Sequence, residues 1–116
     1  MNFKSKAKND VHILYLEGNL IASSDGIKIL ETVDTQTAGG CNKFVVDLSD
    51  LKYLNSTGLS ILITILTKVR KAGGEVVVIN IPDNVKQLLI ITKLNTIFIM
   101  AENLDKAMEL LSGKNT

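Results

Sequence analysis

Short runs of valine, isoleucine and leucine alternate along this chain with segments whose apolar residues recur every three or four positions. No other feature constrains the fold as much, because the two periodicities belong to different backbones. Short β-branched runs suit strands, and a three-to-four spacing marks one face of a helix. Val11 to Gly18 reads as a strand ended by the turn signal Gly18-Asn19. Lys43 to Leu48 and Glu75 to Asn80 read as further strands, and Ile97 to Met100 as a short last one. Val45 and Val46 are adjacent and both apolar, as a strand covered on both faces requires. Phe3 to Lys8 is expected to pair with the first strong strand as an antiparallel edge hairpin across Asn9-Asp10. Lys4, Lys6 and Lys8 suit an edge, where charge discourages pairing with another sheet.

Between the strands, Ser23-Ser24-Asp25 offers capping side chains ahead of Ile27, Leu30 and Val33 at helical spacing, and Gly39-Gly40 stops that helix. From Leu59 to Lys71 the residues Leu59, Leu62, Ile63, Leu66 and Val69 mark a second helical face, closed by Gly73-Gly74. Pro82-Asp83 opens a third helix carrying Val85, Leu88, Leu89 and Thr92, and Asn103 caps a fourth carrying Leu104, Ala107, Met108 and Leu111. Strands that alternate with helices form a largely parallel sheet with right-handed crossovers. The expectation is one α/β domain over residues 1–116. It has a mixed, mostly parallel β-sheet with alternating helices and an N-terminal antiparallel edge strand. The core runs from about residue 3 to 111, and 112–116 form a flexible polar tail.

Composition removes several function classes. With 13 basic and 12 acidic residues the net charge is +1, which gives no electrostatic footprint for nucleic acid. One cysteine, Cys41, and one histidine, His12, supply neither a disulfide framework nor a metal-ligand spacing, so no metal and no cofactor are expected. No stretch approaches the roughly 18 to 20 apolar residues of a membrane span. The basic start of the chain leads into no secretory apolar core, since Glu17 interrupts it, so a soluble cytoplasmic domain without membrane insertion is expected. Ser-His-Asp chemistry lacks both the nucleophile elbow and a placed base. Both Gly-Gly pairs precede strands, the wrong order for a phosphate cradle.

What remains is the segment from Val46 to Leu59, which leaves a buried strand, turns at Asn55-Ser56-Thr57-Gly58 and enters a very apolar helix. Asn55 and Ser56 fall at the helix N-cap, where unpaired N–H groups carry about half a positive charge. A phosphate on Ser56 would be tolerated there, whereas a partner packed over it would have to desolvate about −1.5 to −2 charges. The simpler reading is that these residues only cap a helix. Ile61 and Ile65 lie off the core face; either a neighbouring helix or the sheet edge covers them, or they form a partner-binding stripe flanked by Lys68.

The stretch from Phe44 to Leu59, with V-V-D-L-S-D-L-K-Y-L-N-S-T-G-L, resembles the signature of STAS domains. In their anti-sigma factor antagonist branch it reads as an apolar run, D-L-S, a spacer and D-S-S-G-L. Gly18-Asn19-Leu20 resembles the upstream G-x-L, and the likeness continues through Lys71-Ala72-Gly73-Gly74 and Thr92-Lys93-Leu94 to about Leu111. The resemblance implies a small α/β domain in a superhelical layer that is not an enzyme. It implies a regulator that binds a GHKL-type serine kinase acting as anti-sigma factor, with a PP2C-type phosphatase reversing its phosphorylation. The family's phosphoserine falls on Ser56, with Thr57 as a second hydroxyl. The partner-binding set it suggests is Asn19, Ile21, Asn55, Ser56, Thr57, Gly58, Ile61 and Ile65, with Gly58 admitting a partner backbone. Asp47 and Ser49 are expected to fix the preceding turn. Asn55 and Ile21 stand where the family commonly carries acids, and Lys93 where it carries glycine. The alternative is a stand-alone STAS subunit of an ABC lipid transporter, bound constitutively to its ATPase. A third expectation is weak nucleotide binding at the helix N-terminus.

Overall fold

Neighbouring residues within each central strand are buried on opposite sides. Ile13 and Leu14, Val45 and Val46, and Val77 and Val78 are all at most 2% exposed. That is why these strands read as unbroken apolar runs: the sheet they form is covered on both faces. The computed structural model describes residues 2–112. Its elements are β1 (Asn2–Lys8), β2 (Val11–Leu20), α1 (Ser23–Ala38), β3 (Lys43–Leu54), α2 (Ser56–Lys71), β4 (Glu75–Ile79), α3 (Asp83–Ile91), β5 (Ile99–Ala101) and α4 (Leu104–Ser112). The five strands lie in sequence order, with β1 antiparallel to β2 and every other pair parallel. This is the mixed α/β architecture expected from the alternation.

One apolar cluster joins Leu14, Phe44, Val46 and Val78 to Ile29 and Val33 of α1, to the buried face of α2, and to Val85 and Leu89 of α3. On the opposite face Val11, Ile13, Val45, Val77 and Ile79 pack against Ala107 and Leu111 of α4. Three helices therefore share one face and a single helix covers the other. Each large side chain so enclosed contributes roughly 1.5–3 kcal/mol relative to exposure.

Several boundaries differ from the expected ones. β2 does not stop at Gly18-Asn19 but continues to Leu20, with register shifts against β3 between Tyr15 and Glu17 and between Gly18 and Asn19. Gly18 takes a φ of 85°, so the glycine accommodates a bulge inside the strand rather than a turn after it. β3 likewise runs six residues past Leu48, because β2 continues alongside it and pairs Leu20 with Leu54. α1 is capped differently as well. Ser23 and Ser24 are inside the helix, Ala22 is the N-cap, and Asp25 reaches back to the N–H groups of Ile21 and Ala22. Its core face is rotated: Gly26, Ile29 and Val33 are buried while Ile27 is exposed. Leu94 to Thr96 form one 3₁₀ turn, which moves the last strand to Ile99–Ala101 and leaves Phe98 buried. Ser112 closes α4 rather than opening a tail; residues 113–116 lie outside the described residues.

Candidate functional site

The carboxyl ends of β2 and β3 sit side by side, with Asn19 opposite Tyr53 and Leu20 opposite Leu54. Asn55 follows in an extended conformation and caps α2. Its Oδ1 accepts from the Gly58 N–H at 3.0 Å, and its carbonyl accepts the first helical bond from Leu59. Its Nδ2 donates to the Ile21 carbonyl at 2.9 Å. The two bonds demand one orientation of the amide, oxygen to the helix and nitrogen to the β2–α1 loop. Ser56 is exposed at the first position of the sixteen-residue helix α2, and Thr57 behind it is half-buried.

On the other side of the loop, Asp25 Oδ2 accepts from the N–H groups of Ile21 at 3.1 Å and Ala22 at 2.9 Å. These bonds, that from Ala22 foremost, hold its carboxyl below the usual carboxylate range. Ile21 remains 43% exposed and Tyr53 65% exposed. Asn19, Lys52 and Glu17 border a shallow depression beside them. The site thus has an exposed hydroxyl, a helix N-terminus behind it, the apolar Ile21 and the amides of Asn19 and Asn55 beside it, and the charged Glu17, Asp25 and Lys52 around the adjoining depression.

The structure separates the residues grouped by the sequence. Asn19, Ile21, Asn55, Ser56 and Thr57 come together at this end of the sheet. Gly58 does not offer its backbone to a partner. It is buried, and a Cβ there would collide with the Leu20 carbonyl and the Leu54 side chain, so the close approach is to the chain's own β2. Ile61 and Ile65 do not form an exposed stripe either. They are 6% and 1% exposed, and α1 crosses them at Gly26, where a Cβ would lie 2.9 Å from the Ile61 side chain. The covering helix, one of the two readings left open, is the one found. Asp47 holds no turn, since β3 continues through it; its carboxylate accepts from the Ser49 N–H at 2.9 Å and from Asn80 Nδ2 at 3.2 Å, tying β3 to the end of β4. Ser49 contributes its peptide N–H to this arrangement.

Sequence reasoning missed three contributors. Tyr53 reads as an ordinary strand residue, and only the end of the sheet leaves it exposed. Asn84 Nδ2 donates to the Lys52 carbonyl at 3.3 Å, fastening the start of α3 to this corner. Asp25 was legible as a cap, but not as the group that holds Ile21. Lys93 adopts a φ of 62°, which explains why glycine suits the position it occupies. At the far end of β2, His12 is 7% exposed, stacks edge-on with Phe44, and its buried Nε2 finds no hydrogen-bond partner among the described residues. Burial lowers its pKa below 6.5. Among the described residues no helix is long and apolar enough to cross a membrane.

The model of the STAS domain matches residues 2–107. The chain belongs to the STAS domain family. A Thermotoga neapolitana protein named as a candidate anti-sigma factor antagonist is 29% identical over 75 residues, which is 65% of this chain and 66% of that relative. The match therefore spans just under two thirds of the relative's length. The crystal structure of a candidate anti-sigma factor antagonist from Thermotoga maritima superposes with a TM-score of 0.85 at 25% identity, covering 95% of this chain and 94% of that one. SpoIIAA, an anti-sigma factor antagonist, has the same fold in its unphosphorylated form. The TM-score is 0.74 at 13% identity, over 97% of this chain and 99% of that one. The phosphorylated form of Bacillus SpoIIAA gives 0.72 at 14% identity, over 93% and 97%. This STAS domain is thus similar in fold to anti-sigma factor antagonists along nearly its whole length.

Proposed function

We propose that this STAS domain is an anti-sigma factor antagonist switched by phosphorylation of Ser56. Unphosphorylated, it binds a GHKL-type serine kinase that also serves as the anti-sigma factor. The kinase transfers the terminal phosphoryl group of ATP to Ser56 Oγ, and a PP2C-type phosphatase removes it. The observation that carries this reading is the placement of Ser56, exposed at the first position of α2 directly behind the Asn55 cap. The names of the relatives support the antagonist reading over a transporter subunit, and SpoIIAA is known in both forms.

The electrostatics fit a switch. A phosphate at Ser56 adds about −1.5 to −2 charges where the helix end is positive, which favours it by roughly 0.3–1 kcal/mol. A partner surface closing over the same point must remove water from that dianion, at a cost of several kcal/mol. Thr57 is less accessible, which favours Ser56 as the acceptor.

Intact mass and peptide mapping of the protein from its native cells, under several growth conditions, test the reading. The expected result is a phosphate on Ser56 that Ser56→Ala abolishes. Ser56→Ala keeps partner binding, and Ser56→Glu weakens it about tenfold or more. Equal partner affinity across the three proteins overturns the switch. A phosphate confined to Thr57 moves its site.

A further inference from the structure

Ile21 leaves 43% of its surface in water, yet both of its peptide groups are fastened. Its N–H donates to Asp25, and its carbonyl accepts from Asn55. Apolar groups held in place before a partner arrives lose less entropy on binding, so they serve well as anchors. The second fastening depends on a donor. Asn55 spends its oxygen on the Gly58 N–H and its nitrogen on the Ile21 carbonyl. A carboxylate at residue 55 could perform only the first task, and its second oxygen would set lone pairs against the Ile21 carbonyl. Ile21 and Asn55, the two neutral residues where the family signature commonly carries acids, are thus joined by one hydrogen bond.

We infer that Asn55 is a positioning residue that clamps the exposed Ile21 to the Ser56 end of α2, so that Ile21 and Ser56 form one preorganised face, with Ile21 as its apolar contact for the protein partner. The partner-facing half rests on the proposed function; the clamp does not. The partner surface opposite Ile21 is apolar at that contact and polar around it, because Ile21 is flanked by the neutral Asn19 and Asn55 and the engaged Asp25, while Glu17 and Lys52 border the same depression.

Asn55→Asp and Asn55→Ser both keep a side-chain oxygen for the cap, so both are expected to fold. Amide exchange followed by NMR reads the clamp in the free protein. In Asn55→Asp at pH 7, protection of the Ile21 and Ala22 amides falls about tenfold while that of Gly58 stays within about twofold. Below about pH 4 the introduced carboxyl is protonated and can donate, and protection returns relative to wild type at the same pH. Asn55→Ser shows the loss without the recovery in acid. Unchanged protection of Ile21 and Ala22 in both variants, or an equal loss at Gly58, overturns the clamp. Co-purification from native cells reads the face. Ile21→Asp is expected to reduce capture of the wild-type partner at least about fivefold, and Asn55→Asp by less. Undiminished capture by Ile21→Asp overturns the partner-facing half. A wild-type protein that captures nothing removes the proposed function and that half together, while amide exchange still decides the clamp.

Discussion

The two ends of β2 are built on opposite terms. At its start His12 is buried against Phe44, with one ring nitrogen unpartnered among the described residues. Just past its end, in the β2–α1 loop, Ile21 is exposed, with both peptide groups bonded. The first end accepts an orphaned polar atom in exchange for packing. The second leaves apolar surface in water in exchange for a defined backbone. The buried end gains from packing despite the cost of its orphaned nitrogen, whereas the exposed end gains a fixed backbone and leaves its side chain accessible.

Three measurements break or sharpen that contrast. The largest effect is expected at the backbone-positioning end. Gly58→Ala drives a methyl group into the Leu20 carbonyl, backbone that cannot swing aside, and should destabilise the domain by about 2–3 kcal/mol in urea titration. A loss under about 0.5 kcal/mol would mean that the close approach is not maintained in solution. The next effect belongs to the packed end. His12 has a folded-state pKa below its unfolded value of about 6.5, so between the two the unfolded chain binds more protons. The stability it contributes is complete above about pH 6.5 and is lost as the pH falls through the lower, folded-state value. Lys43 holds the Asp10 carboxyl below the usual carboxylate range, so that group does not titrate near pH 6.5, where the loss begins. His12→Leu should flatten the fall in stability that begins as the pH drops below about 6.5; an unchanged slope would assign the dependence elsewhere. The smallest effect returns to the exposed end. Ser56→Ala should change stability by less than about 0.5 kcal/mol, because Asn55 and not Ser56 caps α2. A larger loss would make Ser56 a structural residue.

Much of this molecule was legible before any coordinates. Val45-Val46 and Val76-Val77-Val78 announced a sheet covered on both faces, and Asn55 announced a cap. The places where reading failed share one cause. Gly18-Asn19 looks like a strand end, but β3 continues beside it and keeps β2 going to Leu20. Ile27 and Ile29 have the same intrinsic preference, and only the position of α2 decides which one is buried. For Ile61 and Ile65 the sequence left a covering neighbour and a partner-facing stripe both open, because nothing local to α2 reveals that α1 crosses there, with Gly26 making room.

The sequence by itself determined which segments are strands and helices, that the sheet is mostly parallel, and that Ser56 opens a helix behind an asparagine. These follow from periodicity and capping, which act over a few neighbouring residues. Only the tertiary structure decided that Gly58 serves the chain's own β2, that Ile61 and Ile65 are covered, and that the Asn55 amide reaches Ile21. Those outcomes depend on groups more than thirty residues apart in the chain, such as Asn55 and Ile21, being brought within about 3 Å, the reach of a hydrogen bond.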